Sequence, residues 1–145
     1  MTRFLLDVNV LIALIDPTHT QHEAAHAWFA STGHKAWATC PLTENGVLRI
    51  VGHARYPNSP GTPAAVSQLM TTLHGLPGHV FWPDDISLLD AELIDASRLL
   101  SSAQVTDSYL LALAIRHGGH LASLDRRLVT DAVRGGAQRL QLIEG

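Results

Sequence analysis

Cysteine occurs once in this 145-residue chain, at Cys40, and lysine once, at Lys35. A lone thiol excludes an internal disulfide and fits a reducing compartment, so a cytoplasmic location is expected. The thiol itself reads as a small buried apolar group. No run reaches the roughly 18 apolar residues that a membrane-spanning helix needs, and no membrane span is expected. The opening stretch Met1-Thr2-Arg3-Phe4-Leu5-Leu6-Asp7 meets an acid too early to serve as a signal-peptide core. Repeats and low-complexity segments are missing. So is an excess of positive charge: the formal net charge is −3, which does not advertise a nucleic-acid binder through bulk electrostatics.

What is present is apolar bulk. Hydrophobic residues make up 46% of the chain, enough to bury a sizeable core in one domain spanning residues 1–145. The basic residues other than Lys35 are all arginine, and Arg126, Arg127, Arg134 and Arg139 crowd the last twenty positions. Guanidinium forks match phosphate geometry. The same arginines equally suit a solvated surface.

Apolar periodicity predicts alternating elements. Strands are expected at 3–6, 35–39, 79–82, 120–124 and 139–143. Helices are expected at 8–15, 20–30, 41–53, 64–73, 88–100 and from a Thr106 cap to about His117. Ala24, Ala27, Trp28 and Ala30 would form the inner face of the second helix. Pro41 suits a first helical position, and Arg55 to Pro63 is the clearest loop. Strands alternating with helices imply a three-layer α/β/α sandwich around a mainly parallel sheet of four to five strands.

Four acids stand where apolar segments end or helices begin: Asp7, Glu44, Asp107 and Asp125. In a parallel sheet these places share one rim, where functional sites of open α/β folds collect. Taken singly, each acid has a plain explanation. Asp7 would cap the helix at Val8, Glu44 and Asp107 would favour helix N-termini by up to about 1 kcal/mol, and Asp125 would serve a turn. Taken together they repel, by roughly 3 kcal/mol per pair at about 5 Å and an effective dielectric near 20. Such a set either keeps protons or recruits a hard divalent cation, which can then polarise a phosphodiester.

The four signatures Asp7-Val8-Asn9, Thr43-Glu44-Asn45-Gly46, Thr106-Asp107-Ser108-Tyr109 and Ser123-Leu124-Asp125-Arg126 resemble those of the PIN domain. The length and the early first strand are most similar to VapC-type toxins of toxin–antitoxin pairs, across essentially the whole chain. The resemblance implies a PIN-like fold and a ribonuclease that uses Mg2+, with Mn2+ as substitute. It implies Asp7 and Asp107 as principal metal ligands, with Glu44 and Asp125 completing the pocket directly or through water. Asn9 would orient Asp7 or a bound water, and Thr106 would match the hydroxyl before the third acid. It further implies an RNA substrate, a homodimer and a neutralising antitoxin.

Arg49 and Arg126 are placed to contact an RNA phosphate, a structural carboxylate or a partner protein. His19, His22 and His26 share one helix face and read as a solvent or interface stripe. Trp28, Phe29, Trp37, Phe81 and Trp82 read as core or interface residues. Two other acid-using enzymes fail on residues: a haloacid-dehalogenase-like phosphatase needs an aspartate where Asn9 stands. That phosphatase and a phosphotransfer receiver both need a lysine beyond the middle of the chain. The alternative that stands is a non-catalytic PIN-like binding or scaffold module.

Overall fold

A computed structural model describes residues 1–144. Five short parallel strands, β1 (Phe4–Leu6), β2 (Trp37–Thr39), β3 (His79–Phe81), β4 (His120–Ser123) and β5 (Leu140–Leu142), pair in the order β3-β2-β1-β4-β5. The first strand is central: Phe4 pairs with Trp37 on one side and with His120 on the other. Alternate residues of each strand serve opposite faces. Phe4 and Leu6 face a core shared with α1 (Val8–Ile15), α2 (His22–Ser31), α3 (Pro41–Val51) and α4 (Pro63–His74). Leu5, Ala38 and Leu121 face a second core against α5 (Gln104–Arg116). The layers are therefore α/β/α, and burial on both faces explains the uninterrupted apolar run of the central β1.

Three local expectations differ from what is observed. Residues 88–100 form turns, an isolated bridge from Ile94 to Val133 and a 3-10 turn at Ala96–Arg98, not an α-helix. Asp90 accepts the Glu92 N–H, and Asp95 accepts the Ser97 N–H and hydroxyl. Those local side-chain bonds compete with helical ones, and they leave Leu89 and Leu100 in solvent. α5 begins at Gln104, which places Thr106 inside its first turn, with no side-chain cap at Ala103. The inner face of α2 is Ala25 and Phe29, with Ala24 and Trp28 partly buried beside them and Ala27 and Ala30 exposed, so the buried stripe lies one residue round from the one expected.

Trp37 and Trp82 are core residues, whereas Phe81 is half exposed on the edge strand β3. Burial pushes the Cys40 thiol up to about 11, so it is protonated and inert. The 55–63 loop is anchored at the end of α1. The buried Asp16 carboxylate accepts from the Tyr56 hydroxyl, the Asn58 amide and both polar groups of Thr18. Burial raises its pKa, but these bonds outweigh that effect and hold the group down to about 2.

Tyr56→Phe should lower folding stability by about 1–2 kcal/mol near pH 7, read from urea unfolding. A depressed carboxylate contributes above its unfolded value and loses that contribution as pH falls through the folded one. The penalty should therefore shrink between about pH 4 and pH 2, as Asp16 protonates in either chain.

Candidate metal and nucleic-acid site

Asp7 follows β1 directly, and its N–H continues the sheet ladder to the Ala122 carbonyl at 2.9 Å. One carboxylate oxygen accepts the Val8 N–H at 2.8 Å, capping α1; the other accepts the Ser123 hydroxyl at 2.8 Å. Ser123, last residue of β4, also accepts from the Asn9 amide at 3.2 Å and the Asp125 N–H at 3.1 Å. The Asn9 carbonyl in turn accepts the Leu124 N–H at 3.2 Å. This web binds the carboxyl ends of β1 and β4 and aims Asp7 and Asp125 at one rim. Asn9 acts on Asp7 through Ser123. Ser123 was not singled out as a site residue, although its position two before Asp125 in a strand was a usable signal.

Asp7, Asp107 and Asp125 line one cavity of about 560 Å³ with Asn9, Arg49 and Thr106. Burial raises the pKa of Asp7; the bonds from Ser123 and Val8 partly oppose this, and repulsion from Asp125 adds to it. Burial, then repulsion from Asp7 and Asp125, pushes Asp107 up to about 6. These oxygen donors fit a hard divalent cation: their mutual repulsion has no basic counter-ion among their hydrogen bonds, and a cation would relieve it.

Glu44 does not join them. Along α3, Asn45, Gly46 and Arg49 face the cavity, while Glu44 lies about 100° away around the helix. Its carboxylate accepts the Thr39 hydroxyl at 2.8 Å and sits 3.4 Å from His74 Nε2. That contact is not a hydrogen bond, and the buried His74 Nε2 has no hydrogen-bond partner. Thr39 also bonds His79 Nε2 at 2.7 Å. Burial, with repulsion from His74 and Arg3, holds His79 down to about 4, so its ring is neutral at neutral pH. Neither histidine drew attention in the sequence.

Arg126 is exposed beside Asp125 and does not line the cavity; the Arg127 N–H turns back onto the Asp125 carboxylate at 2.9 Å. Of the histidine stripe, His22 Nδ1 sits 2.6 Å from the Ala13 carbonyl, His19 Nδ1 accepts the Gln21 N–H, and His26 is exposed.

A parallel α/β/α sheet with three carboxylates on the carboxyl rim of its central strands defines an α/β protein built around an acidic site. The family model described as the PIN domain matches residues 4–132, and the chain belongs to that family. It is 42% identical to Ribonuclease VapC44 of Mycobacterium tuberculosis over 137 residues, 94% of this chain and 96% of that one. It is 41% identical to Ribonuclease VapC39 of the same organism over 131 residues, 90% and 94% respectively. Among solved structures, FitAcB from Neisseria gonorrhoeae aligns with a TM-score of 0.57 at 22% identity, covering 84% of this chain and 87% of that one. FitAB bound to an IR36 DNA fragment aligns with a TM-score of 0.59 at 19% identity, covering 96% and 94%. At those identities the structural likeness is one of fold.

Asp107→Asn should stabilise the metal-free protein at pH 7 by about 1 kcal/mol, allowing for the screening of a partly exposed group. A raised carboxylate pKa means that the folded state holds its proton more tightly. Wild-type stability should therefore fall as pH rises from about 4 to about 6, and the variant should show a smaller fall, the share that Asp7 contributes. Parallel urea titrations across this range test it; coincident wild-type and variant curves would oppose it.

Proposed function

We propose that this chain is a divalent-metal-dependent endoribonuclease, the toxin of a toxin–antitoxin pair, acting as a single PIN-like domain. The observation that carries the reading is the convergence of Asp7, Asp107 and Asp125 on one cavity in a chain more than 40% identical to ribonucleases. Asp7, buried and hydrogen-bonded, is the rigid ligand. Asp107 is the ligand whose repulsion from its neighbours a cation would relieve, and Asp125 completes the set directly or through water. Mg2+ suits such a carboxylate set because it keeps several waters, and Mn2+ substitutes for it. When bound, the cation offsets the charge that builds on the phosphate under attack. Glu44 lies outside this set in the geometry described, so the ligands proposed are the three aspartates.

The chain's own groups supply positioning. Ser123 and Asn9 hold the Asp7 carboxylate in one orientation. Arg49 reaches the cavity from α3 and offers a guanidinium to a phosphate oxygen, while Thr106 offers a hydroxyl at the mouth. Arg126 stands outside the cavity, where it meets the RNA backbone or the antitoxin. A partner surface is supported by an apolar groove of about 250 Å³, where Leu69, Leu73 and Leu76 of α4 and its following turn meet Ile15 of α1. A homodimer and a cytoplasmic setting complete the proposal. Among the described residues no helix is long and apolar enough to cross a membrane.

The purified protein should hydrolyse RNA with Mg2+ or Mn2+ and stop when a chelator is added. Asp7→Asn and Asp107→Asn should each lower the rate by at least about a hundredfold while circular dichroism stays unchanged. Undiminished cleavage in both variants would sink the assignment and favour a binding or scaffold module. Ser123→Ala, which frees Asp7 without touching the cation, should weaken Mg2+ affinity about 10- to 100-fold, measured by calorimetric titration.

A further inference from the structure

Glu44 is the acid that the cavity leaves out, and it has its own set of neighbours. One Glu44 oxygen and one ring nitrogen each from His74 and His79 lie within 4.8 Å of one another. No other three His, Cys, Asp or Glu residues among those described meet that spacing. The trio joins three elements: the first turn of α3, the last residue of α4 and the first residue of β3. The His74 and His79 rings stack with centroids 4.1 Å apart and planes inclined by 19°. Thr39 bridges Glu44 and His79.

One feature of this set lacks an explanation in packing alone. His74 Nε2 is shut from water, faces Glu44 at 3.4 Å and has no hydrogen-bond partner. A buried polar atom left in that state costs about 1–3 kcal/mol. A cation seated between Glu44 and the two imidazoles would give that nitrogen a partner and neutralise the carboxylate. An adjoining cavity of about 170 Å³, reached past Ser67 and Thr71, has room for a water on the same ion.

The donor set decides which ion. Mg2+ demands oxygen ligands in near-octahedral array. Two imidazoles and one carboxylate match instead the three-ligand, open-position arrangement of zinc. We propose that Glu44, His74 and His79 form a second metal site, selective for a borderline transition metal such as zinc and separate from the aspartate cavity. The ion ties α3, α4 and the edge strand β3 together. It does so behind the helix face that presents Asn45 and Arg49 to the aspartates.

The test uses Co2+ as a visible-absorbing stand-in for zinc, added to the full chain carrying Asp7→Asn and Asp107→Asn. The aspartate cavity then cannot compete, and the readout does not depend on RNA cleavage. One equivalent of Co2+ should bind with the intense d–d bands of a low-coordinate, imidazole-ligated ion, and zinc should displace it. Adding His74→Gln and His79→Gln should weaken binding about a hundredfold. His74→Gln alone, at a side chain a quarter exposed, should weaken it about tenfold with unchanged circular dichroism, which keeps the test sound if the double change unfolds the chain. Absence of stoichiometric binding, or binding undiminished by the histidine changes, would overturn the site whatever the fate of the ribonuclease reading.

Discussion

The Asp7 carboxylate is buried, and its burial is tolerable only because Ser123 and Val8 donate to it. Much of the site follows from that requirement. To place a hydroxyl on Asp7, β4 must lie beside β1 in parallel, which the register Leu6 to Ala122 provides. The same Ser123 oxygen then receives Asn9 and the Asp125 N–H, so one hydroxyl sets the position of two acids. A buried carboxylate without such donors would neutralise instead of waiting for a cation. The hydrogen bonds keep Asp7 ionisable, and repulsion among the three aspartates keeps the cavity receptive. Stability is sacrificed at this rim for chemistry, as the upward shifts at Asp7 and Asp107 indicate.

The strand ends were legible because a carboxylate closing an apolar run has few packing uses. Asp7 and Asp125 both stand just past strands buried on both faces, and the sheet order brought them together as expected. Asp107 was legible as a first-turn acid even though the helix opens earlier than Thr106. Glu44 was harder. A helix turns by about 100° per residue, so an acid one position from Asn45 serves a different neighbour. Its partners His74 and His79 lie 30 and 35 residues away in sequence, and only the parallel pairing of β2 with β3 sets Thr39 near both Glu44 and His79. Apolar spacing misled at 88–100, where Asp90 and Asp95 bond their own backbone.

Net charge proved a poor guide to the class of substrate. A chain of charge −3 whose site is itself anionic meets a polyanion only if something reverses the local sign. In the proposed function a divalent cation would do so at the cavity, while Arg49 at its wall supplies a fixed positive group. Salt should therefore act on binding through a few local contacts rather than through a basic face. Identity above 40% across nearly the whole length bears on chemistry, whereas identity near 20% bears on the path of the chain.

Helix α3 carries both halves of the functional reading on different faces. Asn45 and Arg49 look into the aspartate cavity, and Glu44 and Leu48 look toward α4. What fixes the helix between them is contact, not charge. A Cβ built on Gly46 would meet the Val8 side chain at 2.8 Å, so only glycine allows α3 to press this closely on the start of α1. Val8 is also the residue whose N–H caps onto Asp7. The approach at Gly46 therefore sets the distance from α3 to the aspartates before any ion binds. A cation at Glu44, His74 and His79 would stiffen a helix that packing has already placed, changing how firmly Arg49 is held rather than where it points.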